Sequence, residues 1–161
     1  MGTFREMRRI RQQLTSEQCI DILDRNTAGT LAVLGDEGYP YAVPLSYVYA
    51  DGSIYFHSAK SGHKIDAVRT CGKASFSVID KDEIIPEKFT TAFRSVIAFG
   101  HIRILEDDAE IRRAIEKLAD KYSPNAAGKQ EEIQSGWNRM YLLELKIDHM
   151  TGKQGIELCQ K

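Results

Sequence analysis

The sequence predicts a mostly β protein with flanking helices, built around a six-stranded antiparallel barrel. Three observations carry that expectation. Six segments of strand length are either wholly apolar or alternate apolar with polar residues. Turn-forming runs, Gly35-Asp36-Glu37-Gly38 and Asp51-Gly52, separate the early ones at hairpin spacing. Helical stretches are few and irregularly placed, so the regular β-α-β alternation of a parallel sheet is absent.

The elements follow in order. Thr15 with Gln18 three residues later reads as a capping box opening a short helix, with Cys19, Ile20, Ile22 and Leu23 inward. Thr30 to Leu34 is an apolar strand. Tyr39 to Tyr49 is a second, with Tyr39, Tyr41, Val43, Leu45, Tyr47 and Tyr49 on one face and the small Pro40, Ala42, Pro44 and Ser46 on the other. Pro44 has no N–H to give a ladder, which places this strand at an edge or unpairs it locally. Ser53 to Ser58 returns after the Asp51-Gly52 hairpin. A helix runs from about His63 to Cys71, with Gly72 as its stop. Ala74 to Ile79 is strand four. Asp80 to Glu87 reads as irregular, and Thr91 to Leu105 as a fifth strand that bends at Gly100. Asp107 with Glu110 repeats the capping box, and Ile111, Ala114, Ile115, Leu118, Ala119 and Tyr122 form a helical stripe ended by Ser123-Pro124-Asn125. Ala126 to Gly136 reads as a polar connection. Tyr141, Leu143, Leu145 and Ile147 mark the last strand.

Composition narrows the function classes. With 161 residues the chain is expected to be one domain, 1–161, with residues 1–14 as a basic extension. Hydrophobic residues make up 42% and charged residues 28%, which excludes a disordered or coiled-coil chain. Net charge is −1, so no global field draws it to nucleic acid. Arg5, Arg8, Arg9 and Arg11 fit a solvated extension or a subunit contact better than a nucleic-acid arm. No apolar run reaches the roughly 20 residues of a membrane span. The first residues lack the apolar centre of a secretory signal, and three widely spaced cysteines make no disulfide framework. A cytoplasmic location is therefore expected.

The segment Ile54 to Lys64 is the most informative. A strand ends, small residues follow, and a helix opens beside His63 and Lys64. The first amides of a helix lack internal partners and sit at its positive end, so an anion could take them together with Ser58, Ser61 and Lys64. A capped helix with a solvated lysine reads equally well from the same residues. There is no phosphate-binding P-loop and no G-x-G-x-x-G dinucleotide fingerprint. His57, His63, His101 and His149 show no i, i+4 pair, and no C-x-x-C occurs, so no metal site is expected. No G-x-S-x-G marks a nucleophile. Trp137 reads as a core or interface anchor.

Four blocks in order carry a resemblance: Gly38 to Tyr49, Tyr55 to Lys64, Phe93 to Gly100, and Asp148 to Lys153. Together they resemble the nitroimidazole-resistance (Nim) proteins of the pyridoxamine-5′-phosphate-oxidase-like, FMN-binding split-barrel superfamily, over about Arg5 to Leu158. The resemblance implies a split β-barrel of Greek-key type and a homodimer with FMN at the subunit interface. It also implies which residues hold the flavin: Ser58 and Lys64 on the phosphate, with His63 standing where the oxidases have an arginine. Val43, Pro44, Leu45 and Ser46 fall where the oxidases line the ring, Ala59 follows Ser58, and Arg94 and Ser95 fall on a second contact. His57 stands near the flavin and is the implied redox residue, or contributes only its backbone. Strand alternation puts His57 and Ser58 on opposite faces unless the strand ends between them.

The implied activity is FMN-dependent, two-electron reduction of a nitroaromatic such as a 5-nitroimidazole, with NAD(P)H as a possible donor. The alternatives are a non-catalytic flavin carrier, an oxidase of the pyridoxamine type, and a split barrel with another ligand such as haem or a deazaflavin. The oxidases end in an arginine that grips their substrate phosphate, and Gly155 to Lys161 has none.

Overall fold

The computed structural model describes residues 3–159; Met1, Gly2, Gln160 and Lys161, the ends of the expected 1–161 domain, lie outside the described residues. Helix α1 is Ser16–Arg25, with the full capping box: Thr15 Oγ1 accepts the Gln18 amide and Gln18 returns to the Thr15 amide. Then come β1 (Ala28–Leu34), β2 (Pro40–Ser46), β3 (Val48–Ala50), β4 (Ser53–Ala59), α2 (His63–Thr70) and β5 (Lys73–Ile85). They are followed by β6 (Thr90–Ile104), α3 (Asp108–Tyr122), α4 (Lys129–Gly136) and β7 (Met140–Gln154).

All seven strands form one antiparallel sheet in the order β2-β1-β5-β6-β7-β4-β3. The two edge strands, β2 and β3, are joined in sequence by Tyr47 alone. Flat, the edges of seven strands would stand roughly 29 Å apart, and one residue reaches only about 7 Å. The sheet is therefore rolled, with a split between β2 and β3 where no ladder joins them. In place of the six strands expected of the split barrel there are seven, in a rolled antiparallel sheet with an open seam.

The seam has a local cause. Tyr47 is fully buried, its ring packs edge-on to Phe76, and its hydroxyl donates to the Leu23 carbonyl at 2.7 Å. Tyr122 takes both its backbone groups, so neither is left for a ladder. Phe56 meets Phe76 edge-on inside the roll. Leu31, Ile54, Val78, Leu143 and Leu145 fill the rest, and α1 and α2 close it with Ile22, Leu23, Ile65 and Val68. A second core lies outside, where Ala114, Ile115 and Leu118 of α3 and Ile133 of α4 pack on Val48, Leu105 and Leu142.

Several expectations change. Strand five does bend at Gly100: the register with β7 slips there, and a Cβ would stand 1.9 Å from the Lys146 carbonyl oxygen. The Asp80 to Glu87 segment is not irregular through its length, because β5 continues to Ile85 beyond a bulge and pairs with β6 as a long arm. Lys81 and Glu83 form an ion pair along it. The polar connection after Ala126 contains helix α4. The second capping box does not form: Glu110 is drawn to Arg103 at 2.7 Å, leaving Asp107 without a side-chain bond to the helix. Gly72 ends α2 without a left-handed turn. Nor are all the N-terminal residues solvated, since Phe4 stacks on His149 at 4.4 Å and Gln13 bridges to Lys153. No helix among the described residues is long and apolar enough to cross a membrane.

Candidate functional site

Strand β4 runs to Ala59, so it does not end between His57 and Ser58 and their side chains point to opposite faces. Ser58 is buried at 6% exposure, its hydroxyl donating to the Ala59 carbonyl at 2.9 Å. Its expected phosphate contact therefore has no outward hydroxyl to make it. His57 is exposed, as is Ala59 at the end of the strand. Together with Ser46 from the end of β2, His57 forms one wall of a cleft of about 500 Å³. Met140, paired with Ala59, adds to the sheet side of the cleft, and Ile115 and Leu118 of α3 and Ile133 of α4 give it an apolar helical side, with Lys129 and Tyr122 also lining it.

The rolled sheet brings Ser46 and His57 together. Val48 pairs with Tyr55, and continuing that antiparallel register across the seam places Ser46 at the level of His57. Strand β2 is an edge strand, as Pro44 required. Its burial alternates: Val43 and Leu45 pack into the main core, while Pro44 and Ser46 face out with Ala42. Val43 and Leu45 can therefore reach a ligand only through their backbone, whereas Pro44 and Ser46 can present side chains.

Helix α2 supplies the polar pole. Gly62 precedes it at φ 122°, a conformation that glycine accommodates, and no side chain caps its first amides. Lys64 is half-buried, and burial pushes its amine below the ordinary lysine range. It has no carboxylate within ion-pair distance among the described residues. A half-buried cation without a counter-charge beside free helix amides is chemically matched to an anion.

His63 is placed differently from its expected role. Its Nε2 accepts the Asp36 amide at 3.1 Å and its ring packs on Tyr41 at 4.2 Å. It braces α2 against the β1–β2 turn, and that nitrogen is already engaged. Arg94 is likewise committed, donating to Asp80 at 3.2 Å and to the Gln154 side chain at 3.2 Å. Ser95 lies opposite Ile79 on β5 and faces away from the core beside buried Val96. The same outer face carries Ser46 three strands along, through Ala28 of β1, and at that separation Ser95 does not line the His57 cleft.

Lys64 and the α2 amides match an anion such as a phosphate, and the outward side of β2 ends at Ser46 in the His57 cleft. Reasoning from the sequence missed the α3–α4 wall. Tyr122 belonged to a visible stripe, but α4 has Ile133 as its one large apolar residue, too little to show a helical period.

The model of one protein family, described as pyridoxamine 5′-phosphate oxidase, matches residues 15–154. No curated protein matches the chain by sequence. Among solved structures, a candidate 5-nitroimidazole antibiotic resistance protein from Bacteroides thetaiotaomicron is 20% identical, with a TM-score of 0.74 over 88% of this chain and 86% of that one. A conserved hypothetical protein from Mycobacterium tuberculosis is 18% identical, with a TM-score of 0.82 over 97% and 94%. An FAD-binding protein from Mesorhizobium loti is 25% identical, with a TM-score of 0.63 over 89% and 97%.

Proposed function

The chain belongs to the pyridoxamine 5′-phosphate oxidase family, and from that premise we propose that it is an FMN-dependent oxidoreductase, reducing nitroaromatics such as 5-nitroimidazoles by two-electron steps. The observation that carries the reading is Lys64, a half-buried cation with no carboxylate partner among the described residues, beside the uncapped start of α2. Support comes from the FAD-binding relative and from the one named for 5-nitroimidazole resistance.

Flavin, when bound, supplies reversible hydride and electron transfer. The chain's own groups do the rest. Lys64 and the α2 amides neutralise the phosphate. Pro44, Ser46 and the free edge of β2 give a flat surface against which a ring can lie. His57 lines the cleft, where its imidazole can face the reacting edge of a bound ring. Ile115, Leu118, Ile133 and Met140 exclude water from the space facing it.

A homodimer belongs to the same proposal. Leu34, Ile79, Ile97 and Phe99 are exposed on the outer side of β1, β5 and β6, beside the outward residues of β2. An apolar patch on the face that carries the site suits a second copy of the chain.

The test is the absorbance spectrum of freshly purified protein, followed by anaerobic NADPH and then a nitroimidazole. Flavin bands that bleach with the first and return with the second are expected, from a protein that sediments as a dimer. Flavin that binds without cycling would leave a carrier, and a Soret band or no bound flavin would overturn the proposal.

A further inference from the structure

A second cleft, of about 360 Å³, lies between the β4–α2 loop, the outer side of α2 and the turn from α4 into β7. Groups of both charges line it. Lys60 stands 5.3 Å and the Arg69 guanidinium 5.8 Å from the centre of the Tyr141 ring, and Arg69 Nη2 donates to the Tyr141 hydroxyl at 3.3 Å. Glu106 and Asp108 line the same cleft. None of these four charged groups has an ion-pair partner among the described residues. Trp137 adds an aromatic surface to the lining, with the Arg112 guanidinium 5.1 Å from its ring centre.

We infer that this cleft binds a nucleoside phosphate. The ligand must bring an anion for Lys60 and Arg69, hydrogen-bond donors for Glu106 and Asp108, and a flat apolar body for Trp137. A phosphate, the hydroxyls and amine of a nucleoside, and its base supply the three in one molecule. Inorganic phosphate leaves both carboxylates unmatched, and adenosine leaves both cations unmatched. The cleft is distinct from the phosphate position at Lys64: Lys64 and Arg69, five residues apart, lie about 140° apart around α2. Met140 lines this cleft and the His57 cleft alike, so the two are neighbours separated by one side chain. The inference does not depend on what Lys64 holds.

Trp137 is the only tryptophan in the chain, so its emission reports on the cleft. The experiment titrates AMP, adenosine and inorganic phosphate into the protein as purified, following tryptophan fluorescence and, in parallel, heat by calorimetry. AMP is expected to give a saturable response. Adenosine and phosphate are expected to bind at least about tenfold more weakly. Lys60→Ala and Arg69→Ala, both exposed changes, should each weaken AMP about tenfold and leave far-UV circular dichroism and any flavin absorbance unchanged. No saturable response to AMP, adenosine binding as tightly as AMP, or an AMP response that survives the double variant would each overturn the inference. Since flavin absorbance is read separately, the loss of one result leaves the other standing.

Discussion

The Tyr122 hydroxyl holds both backbone polar groups of Tyr47: it accepts the Tyr47 amide at 2.9 Å and lies 2.7 Å from the Tyr47 carbonyl. The Thr27 carbonyl is also within its reach, so its single proton is shared between two acceptors. Tyr47 is where β2 gives way to β3, and its burial leaves no water to replace these bonds. One side chain from the end of α3 thus fixes the seam of the sheet and lines the His57 cleft.

Tyr122→Phe keeps the ring and removes the clasp. Two buried backbone groups lose their partner, which costs on the order of 1–3 kcal/mol. For a chain of this length each kcal/mol lowers the melting temperature by about 2–4 °C, which a thermal scan by circular dichroism measures. An unchanged melting temperature would show that water or a shifted backbone replaces the hydroxyl.

Asp80 sets an acid limit to stability. Arg25 grips its two carboxylate oxygens at 2.7 and 2.6 Å, Asn26 adds a bond at 2.8 Å and Arg94 another at 3.2 Å. The Arg25 bonds, aided by Asn26 and Arg94, pull its carboxyl from 3.8 down to about 2. The folded state therefore binds that proton less readily than the unfolded chain. The resulting stabilisation is complete above about pH 4 and is lost as pH falls to about 2, on the order of 2 kcal/mol. Denaturant unfolding at a series of pH values should show that decline, and Asp80→Asn should flatten it while lowering stability at neutral pH.

His57→Ala is expected to leave flavin bound and to slow nitro reduction. His57 lies on the cleft wall, outside both cores, so the change opens no cavity in the packed interior. Stopped-flow reoxidation of reduced protein by a nitroimidazole separates the two effects. Turnover equal to wild type would return His57 to a backbone role.

The strands, the hairpins and the edge position of β2 were legible because their causes are local: a period of two, a turn residue at its required conformation, a missing N–H at Pro44. Asp51 and Gly52 both take positive φ, as that two-residue turn demands. What escaped the sequence was set by distant partners. Glu110 left its helix for Arg103 on β6, and Tyr47 broke a continuous strand because Tyr122 claimed its backbone. Within the site, the pole at Lys64 could be read from one segment. The inward turn of Ser58 depended on where β4 ends, and the engagement of His63 depended on a turn 27 residues earlier.

Titration of FMN into flavin-free protein tests whether Lys64 and the start of α2 hold a flavin phosphate. Lys64→Ala should weaken binding by about 1.5–3 kcal/mol, or roughly 10- to 150-fold, with Lys64→Arg recovering much of it. Riboflavin, which lacks the phosphate, should bind wild type and Lys64→Ala alike. FMN held with equal affinity by wild type and Lys64→Ala would contradict the assignment.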